Sequence, residues 1–201
     1  MPAYFKNLSP SDIDQLVELF LAKPLVFTKH TDVKFQEEFV ALLKDEIQNP
    51  HCFFPSIFVD EKLYLSIYLK ETIDAPSFIW AYELVRQGAL SAILKPDFLD
   101  AAIKLEQAIY QEMIVKRNLN RIYFAYPYDE NVSTRSVNSI ERIHKYIKKS
   151  RNYESIISKF ELFTDCIVRK DTLPKYKYQQ KIIGERTWPF DIAIRIAMLK
   201  S

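Results

Sequence analysis

Apolar residues recur at two different spacings along this chain, and the change of spacing divides it into elements. Tyr4 to Leu8 reads as a short strand, and Ser9-Pro10-Ser11-Asp12 as a helix start. Ser9 can cap, Pro10 suits the first turn, and Asp12 places a carboxylate at the positive helix end. Ile13, Leu16, Val17, Phe20 and Leu21 follow at helical spacing until Pro24. A second helix is expected from near Thr31, burying Phe35, Phe39, Leu42, Leu43 and Ile47, and Asn49-Pro50 closes it. The period then falls to two. Phe53 to Val59 is one strand, Asp60-Glu61-Lys62 a turn, and in the next strand Leu63, Leu65, Ile67 and Leu69 oppose Tyr64, Ser66, Tyr68 and Lys70. That alternation predicts a half-buried strand of a hairpin. Phe78 to Arg86 is apolar on both sides, which predicts a central strand.

Gln87 to Lys95 reads as an irregular loop, and Pro96 opens a long helix with Phe98, Ala102, Leu105, Ile109 and Met113 inward. Arg121 to Tyr126 is an aromatic strand ended by Pro127. A polar loop leads to a helix with Val137, Ile140, Ile143 and Ile147 inward, then to strands over Ser158 to Arg169 and Asp191 to Lys200. The long connection from Lys170 to Phe190 contains Lys175-Tyr176-Lys177-Tyr178-Gln179-Gln180-Lys181. Its alternation of cations and aromatics describes an exposed edge strand kept soluble by lysine, or a surface that grasps a substrate or single-stranded bases. The whole predicts one α+β domain over residues 1–201.

Composition narrows the chemistry. The chain holds 2 glycines, Gly88 and Gly184, where a protein of this length ordinarily has roughly 14. Phosphate-cradling fingerprints built on repeated glycine are therefore absent. With 28 basic and 26 acidic residues the net charge is +2, a balance that demands no nucleic-acid partner. Cys52 and Cys166 are too few and too distant for a disulfide scaffold, and His30, His51 and His144 are dispersed, so no metal is expected. No apolar run reaches the roughly 18 residues that span a bilayer. No secretion signal is visible, so a cytoplasmic location with free thiols is the expectation.

The order β α α β β β α β α β β resembles that of the GNAT family of N-acyltransferases over almost the whole chain. The opening Tyr4-Phe5-Lys6-Asn7-Leu8-Ser9-Pro10-Ser11-Asp12 is similar to the family's first strand and its turn into the first helix. The stretch Ser139 to Arg151 resembles its late motif: Tyr146 stands at the motif's tyrosine, whereas Ser139, Ser150 and Arg151 replace its asparagine, glycine and aromatic residue. The resemblance implies a mixed, mostly antiparallel sheet flanked by helices on both faces. It also implies an acetyl-CoA or other acyl-CoA substrate whose pantetheine arm enters beside the strand Phe78 to Val85. The family's pyrophosphate loop would map onto Arg86-Gln87-Gly88-Ala89-Leu90-Ser91-Ala92, with Ala89 where the family has its first glycine, and the cofactor-binding residues would be Leu84, Val85, Arg86, Gln87, Gly88 and Ala89. Glu83 would be the base that frees the amine of its proton, and Tyr146 the acid that protonates the leaving thiolate. The acceptor would be a small-molecule or peptide amine, and the active species a homodimer.

Other readings stay open. Glu83 equally suits a solvent-facing or Arg-paired carboxylate, and Tyr146 a packed helix tyrosine with a wet hydroxyl. Arg86, Lys95, Lys148, Lys149 and Arg151 could meet nucleotide phosphates or form a solvated face. The scarcity of glycine and the 12 tyrosines also suit a non-catalytic domain that keeps the fold and binds a protein partner, in an accessory or virus-encoded role.

Overall fold

The computed structural model describes residues 2–22, 33–71, 79–86, 95–128 and 145–200; over 79–86 it describes the backbone. The elements, in chain order, are β1 (Ala3–Asn7), α1 (Ile13–Ala22), α2 (Val33–Glu46), β2 (Cys52–Phe53), β3 (Pro55–Val59), β4 (Lys62–Glu71) and β5 (Ile79–Arg86). There follow α3 (Pro96–Ile109), β6 (Arg121–Pro127), α4 (residues 145–151), β7 (Phe160–Val168), α5 (Lys177–Ile183) and β8 (Ile192–Leu199). The strands form one sheet in the order β1-β3-β4-β5-β6-β8-β7, with β2 paired to β4. All neighbours are antiparallel except β5 and β6, which run parallel. The strand expected to be central is central.

Local chemistry explains the entry to α1. A single 3-10 turn, Pro10–Asp12, precedes it. The Asp12 carboxylate accepts the Ser9 amide at 2.9 Å and the Ser9 hydroxyl at 2.7 Å, and Lys6 Nζ lies 2.5 Å away. A carboxylate at this place satisfies donors that the first turn leaves free. Leu16, Leu19 and Phe20 of α1 and Leu43 of α2 then bury against Phe54, Phe58, Leu63 and Tyr68 on one sheet face. On the opposite face Phe98, Ala101 and Leu105 of α3 cover Ile57 and Leu65. Farther along, Ile109 and Ile114 cover Leu69, Ile122 and Ala197.

Several expectations need correction. The strand over Phe53 to Val59 is two pieces, β2 and β3, broken at Phe54. Leu42 is 44% exposed, since the α2 stripe that meets the core passes through Phe39, Val40 and Leu43 instead. The alternation in β4 does not hold through its start. The β3–β4 register shifts between Ile57 and Phe58, whose partners are Leu65 and Leu63. A bulge at Tyr64 moves Leu63 to the α1 face and Tyr64 onto Phe98, at 4.9 Å between ring centroids. Nor is β4 half-exposed: Ser66 and Tyr68, expected outward, are 0% and 2% accessible beneath α1 and α2.

The largest correction is Lys175 to Lys181. It is no edge strand; residues from Lys177 onward form α5. Gln179 Oε1 accepts the amides of Lys175 and Tyr176, closing the helix start. Gly184, at φ +81°, ends it where other residues are strained. Ile182 and Ile183 then bury against Trp188, Ile192 and Ile194. In β8, Ile192, Ile194 and Ile196 share one buried face, and Ala193 and Ala197 on the other are buried too, so this strand is covered on both faces.

Candidate active site

Two backbone features converge at the middle of the sheet. The parallel ladder between β5 and β6 has three rungs: Ile79 with Ile122, Trp80 with Tyr123, and Ala81 with Phe124. Both strands continue, β5 through Arg86 and β6 through Pro127, without pairing further with each other. They part, and a cleft opens between their C-terminal halves. On its other edge, β5 carries an irregularity. Ser66 pairs with Val85 and Ile67 with Glu83, so Leu84 has no partner residue on β4. A residue left out of the ladder keeps its backbone groups available to something other than the sheet. The parting strands thus leave backbone donors and acceptors unpaired along both walls of the cleft, and the bulge frees those of Leu84 on the β4 side.

Four of the candidate residues lie on the β5 wall. Glu83 is the last β5 residue paired before the bulge, Leu84 is the bulge, and Val85 and Arg86 complete the strand. Gln87, Gly88 and Ala89 lie outside the described residues, as do Ser139 and the expected helix positions Val137, Ile140 and Ile143. Tyr146 stands on α4 with 42% of its surface exposed, while Ile147 beside it is 5% exposed and supplies the inward contact.

Beyond the cleft, α3 starts at Pro96, after Lys95 in extended conformation. Pro96 has no N–H, and the amides of Phe98 and Leu99 both donate to the Lys95 carbonyl at 2.9 and 3.2 Å. At most the Asp97 amide is left to an anion in that turn. Of the basic residues singled out, the structure brings Arg151 to this corner. Its Nε lies 3.1 Å from Asp100 Oδ1 and its Nη2 3.4 Å from the Pro96 carbonyl oxygen. Lys148 pairs with Glu154 at 3.3 Å, and Lys149 is exposed.

Sequence reasoning missed three further polar groups. Glu46, at the end of α2, is 8% exposed. It accepts from Lys70 Nζ at 2.7 Å, from the Tyr68 hydroxyl at 2.8 Å and from the Cys52 thiol. Burial alone would raise its pKa; these donors outweigh burial and hold it below the usual carboxylate range. The Cys52 thiol is pushed up to about 12 by burial and by Glu46. The second group is on β7 and α5. The Tyr178 hydroxyl donates to Asp165 Oδ2 at 2.6 Å and lies 3.7 Å from Cys166 Sγ. Burial, then the bond to Asp165, raises its pKa, and burial raises that of Cys166. The third is Tyr153, just past α4, which burial and the Glu106 carboxylate push up to about 12. A signal existed for the first alone: Cys52 and Glu46 flank the turn between α2 and the sheet, where a buried carboxylate needs donors.

A cavity of about 370 Å³ lies apart from the cleft, between α3 and the strands β1, β3 and β4. Phe5, Phe53, Pro55, Leu69 and Ile109 line it, and its one carboxylate, Glu112, pairs with Lys116. Its apolar lining belongs to the clusters that pack α3 on the sheet, and Glu112 at its rim is exposed. Among the described residues no group of three potential metal ligands occurs, and no helix is long and apolar enough to cross a membrane.

No protein-family model matches this sequence, and no curated protein matches it. Solved structures do. An acetyltransferase from Streptococcus agalactiae superposes with a TM-score of 0.56 at 17% identity, over 99% of this chain and 99% of its own. A GNAT-family acetyltransferase from Streptococcus pneumoniae gives 0.52 at 12% identity, over 98% and 99%. A chimeric spermidine N-acetyltransferase from Vibrio cholerae gives 0.54 at 12%, over 98% and 96%. The described residues have the GNAT fold.

Proposed function

We propose that this protein is an acyl-CoA-dependent N-acyltransferase, passing an acetyl group from acetyl-CoA to a primary amine. The observation that carries the reading is the cleft: β5 and β6 part after three parallel rungs, beside a bulge at Leu84. Fold alone does not assign chemistry. An opening at the centre of a sheet needs a physical reason, because unpaired strand backbone in a protein interior is costly. An arm carrying its own amide groups, as pantetheine does, would supply the missing partners.

The diphosphate end suits the site less well. Pro96 and the Lys95 carbonyl consume most of the α3 start, so the helix end alone is a poor anion site. Arg151 and Lys95 are the cations at that corner, and Arg86 ends the strand leading to it. In this reading side-chain charge makes up for amides that a glycine-rich loop would have presented.

Acetyl-CoA supplies the activated thioester. The residues of this chain handle the protons. Only a neutral amine can attack, so a base must take a proton from the ammonium; Glu83, next to the bulge, is assigned this role. A C–N bond forms as the C–S bond breaks, and the departing thiolate takes a proton, for which Tyr146 is the assigned donor. Calorimetric titration with acetyl-CoA tests the reading. Binding in the micromolar range supports it, and no heat at millimolar ligand removes it. Given binding, Glu83→Gln should lower the transfer rate about 10²-fold or more without weakening acetyl-CoA binding.

A second reading rests on β7. This edge strand is exposed from Glu161 to Asp165, with Leu162 and Phe163 at 43% and 40%. Exposed apolar side chains on a free edge suit a protein partner, so a binding module built on the same fold is the alternative. Failure to bind acetyl-CoA would favour it.

A further inference from the structure

On the face that α1 and α2 cover at the other end, the sheet carries three tyrosine rings and a carboxylate that no role above uses. Tyr123 is on β6, opposite Trp80 in the rung just before the last one, so it borders the cleft. Its ring centroid is 6.0 Å from that of Tyr178 on α5. Tyr176, at the start of α5, stacks on Tyr178 at 6.0 Å with 15° between planes, and is 60% exposed. Asp165 stands at the register shift of β7, between Thr164 and Cys166, and holds the Tyr178 hydroxyl at 2.6 Å. Gln179 Nε2 donates to Cys166 Sγ at 3.2 Å, which holds the thiol beneath the helix. The rings are thus fixed from behind, while Tyr176 and Asp165 remain open to solvent.

We propose that this wall binds an alkylammonium group of the acceptor, separate from the amine that is acylated. Aromatic faces attract cations through their quadrupole, and a carboxylate alongside adds the counter-charge. A group held here is held because it is charged. The attacking nitrogen must lie in the cleft, where Glu83 takes its proton, so a nitrogen that stays charged on the wall is a different one. The acceptor therefore carries at least two amino groups, one at the cleft and one on the wall. The assignment of this ligand as an acceptor rests on the acyl-transfer reading; the affinity of the wall for a cation does not.

Tetramethylammonium cannot be acylated and is the direct probe. It would be titrated into the full chain with no acyl donor present, with the tyrosine ring resonances followed by NMR. Binding is expected in the wild type and in Tyr176→Phe. In Tyr176→Ala and Asp165→Asn it should weaken roughly 2- to 5-fold each, the range for one exposed cation–ring contact. Both sites are exposed, so the fold should survive, and circular dichroism checks it. Equal affinity for the neutral analogue tert-butanol would overturn the proposal, as would affinities unmoved by both alanine and asparagine variants. Competition by spermidine identifies a small polyamine as the source of the cation, and competition by a Lys-Lys peptide identifies a protein tail. Displacement by neither refutes the two-amine acceptor. If acetyl-CoA fails to bind while tetramethylammonium binds, the enzyme reading falls and the cation site stands.

Discussion

At the scale of single residues, the buried charge of Glu46 organises the join between α2 and the sheet. Its carboxylate gathers Lys70, Tyr68 and Cys52, which come from two strands. Removing the charge leaves Lys70 without its counter-ion and Tyr68 with a weaker acceptor. Lys70 is partly exposed, so water recovers some of that loss. Glu46→Gln should cost about 2–3 kcal/mol. A loss of that size lowers the melting temperature by about 4–12 °C, measurable by scanning calorimetry. The same cluster fixes an acid limit. Glu46 and Asp12 both titrate below the ordinary carboxylate range when folded, and in the unfolded chain they return to it. The folded state therefore binds fewer protons. The stabilisation is complete above the ordinary carboxylate pKa of about 4 and is lost as pH falls through the folded values. Urea midpoints should be flat from pH 7 to 5 and fall below pH 4. A midpoint that rose on acidification would contradict the paired carboxylates. Cys52, with its thiol near 12, should resist iodoacetamide at pH 8 until urea unfolds the chain.

At the scale of elements, α5 shows where a sequence is misread and why. Lys175 to Lys181 alternates charge and ring with the period of a strand. The deciding signals stood outside that window. Gly184 can take the positive φ that ends a helix, and Ile182 and Ile183 lie four residues after Tyr178 and Gln179. Gly184→Ala tests this directly. No atom lies closer than 3.9 Å to a Cβ built there, so the cost is backbone strain at φ +81° and not a clash. About 1 kcal/mol is expected, measured by chemical denaturation. The long apolar elements were legible because burial fixes their period: β6 and β8 fall within one residue of expectation, and α3 starts at the expected Pro96. The bulges at Tyr64 and Leu84 were not, since a one-residue slip leaves no mark in composition and shows itself in the partner strand. The second of these slips is the one that matters for the site. Glu83 and Arg86 could be named from the sequence as residues of the right chemistry on a central strand. The parting of β5 from β6 could not, because it depends on which rungs are omitted.

At the scale of the whole molecule, the sheet is two halves joined by a narrow seam. β1 to β5 are held by antiparallel ladders, and so are β6 to β8. Between the halves stand three parallel rungs, from Ile79–Ala81 to Ile122–Phe124. The helix α3 reinforces the seam: its Phe98 and Leu105 cover Ile57 and Leu65 on one side, and the turn after it sets Ile114 against Ile122 and Ala197 on the other. The cleft side of Tyr82 to Arg86 and of Ala125 to Pro127 has no such neighbour strand. A ligand arm lying there would bridge the halves and add partners to both. Acetyl-CoA at about a hundred times its dissociation constant should then stabilise the fold by about 2.7 kcal/mol, a rise of roughly 5–10 °C in melting temperature for a chain of this size. Hydrogen exchange should locate the effect, because protection follows the backbone groups that gain partners. Amides of Tyr82 to Arg86 should slow by a larger factor than those of β3, which is paired on both edges already. A uniform slowing across the sheet would mean that the ligand stabilises the fold from elsewhere. A thermal shift without slowing at Tyr82 to Arg86 would move the binding site away from the cleft altogether.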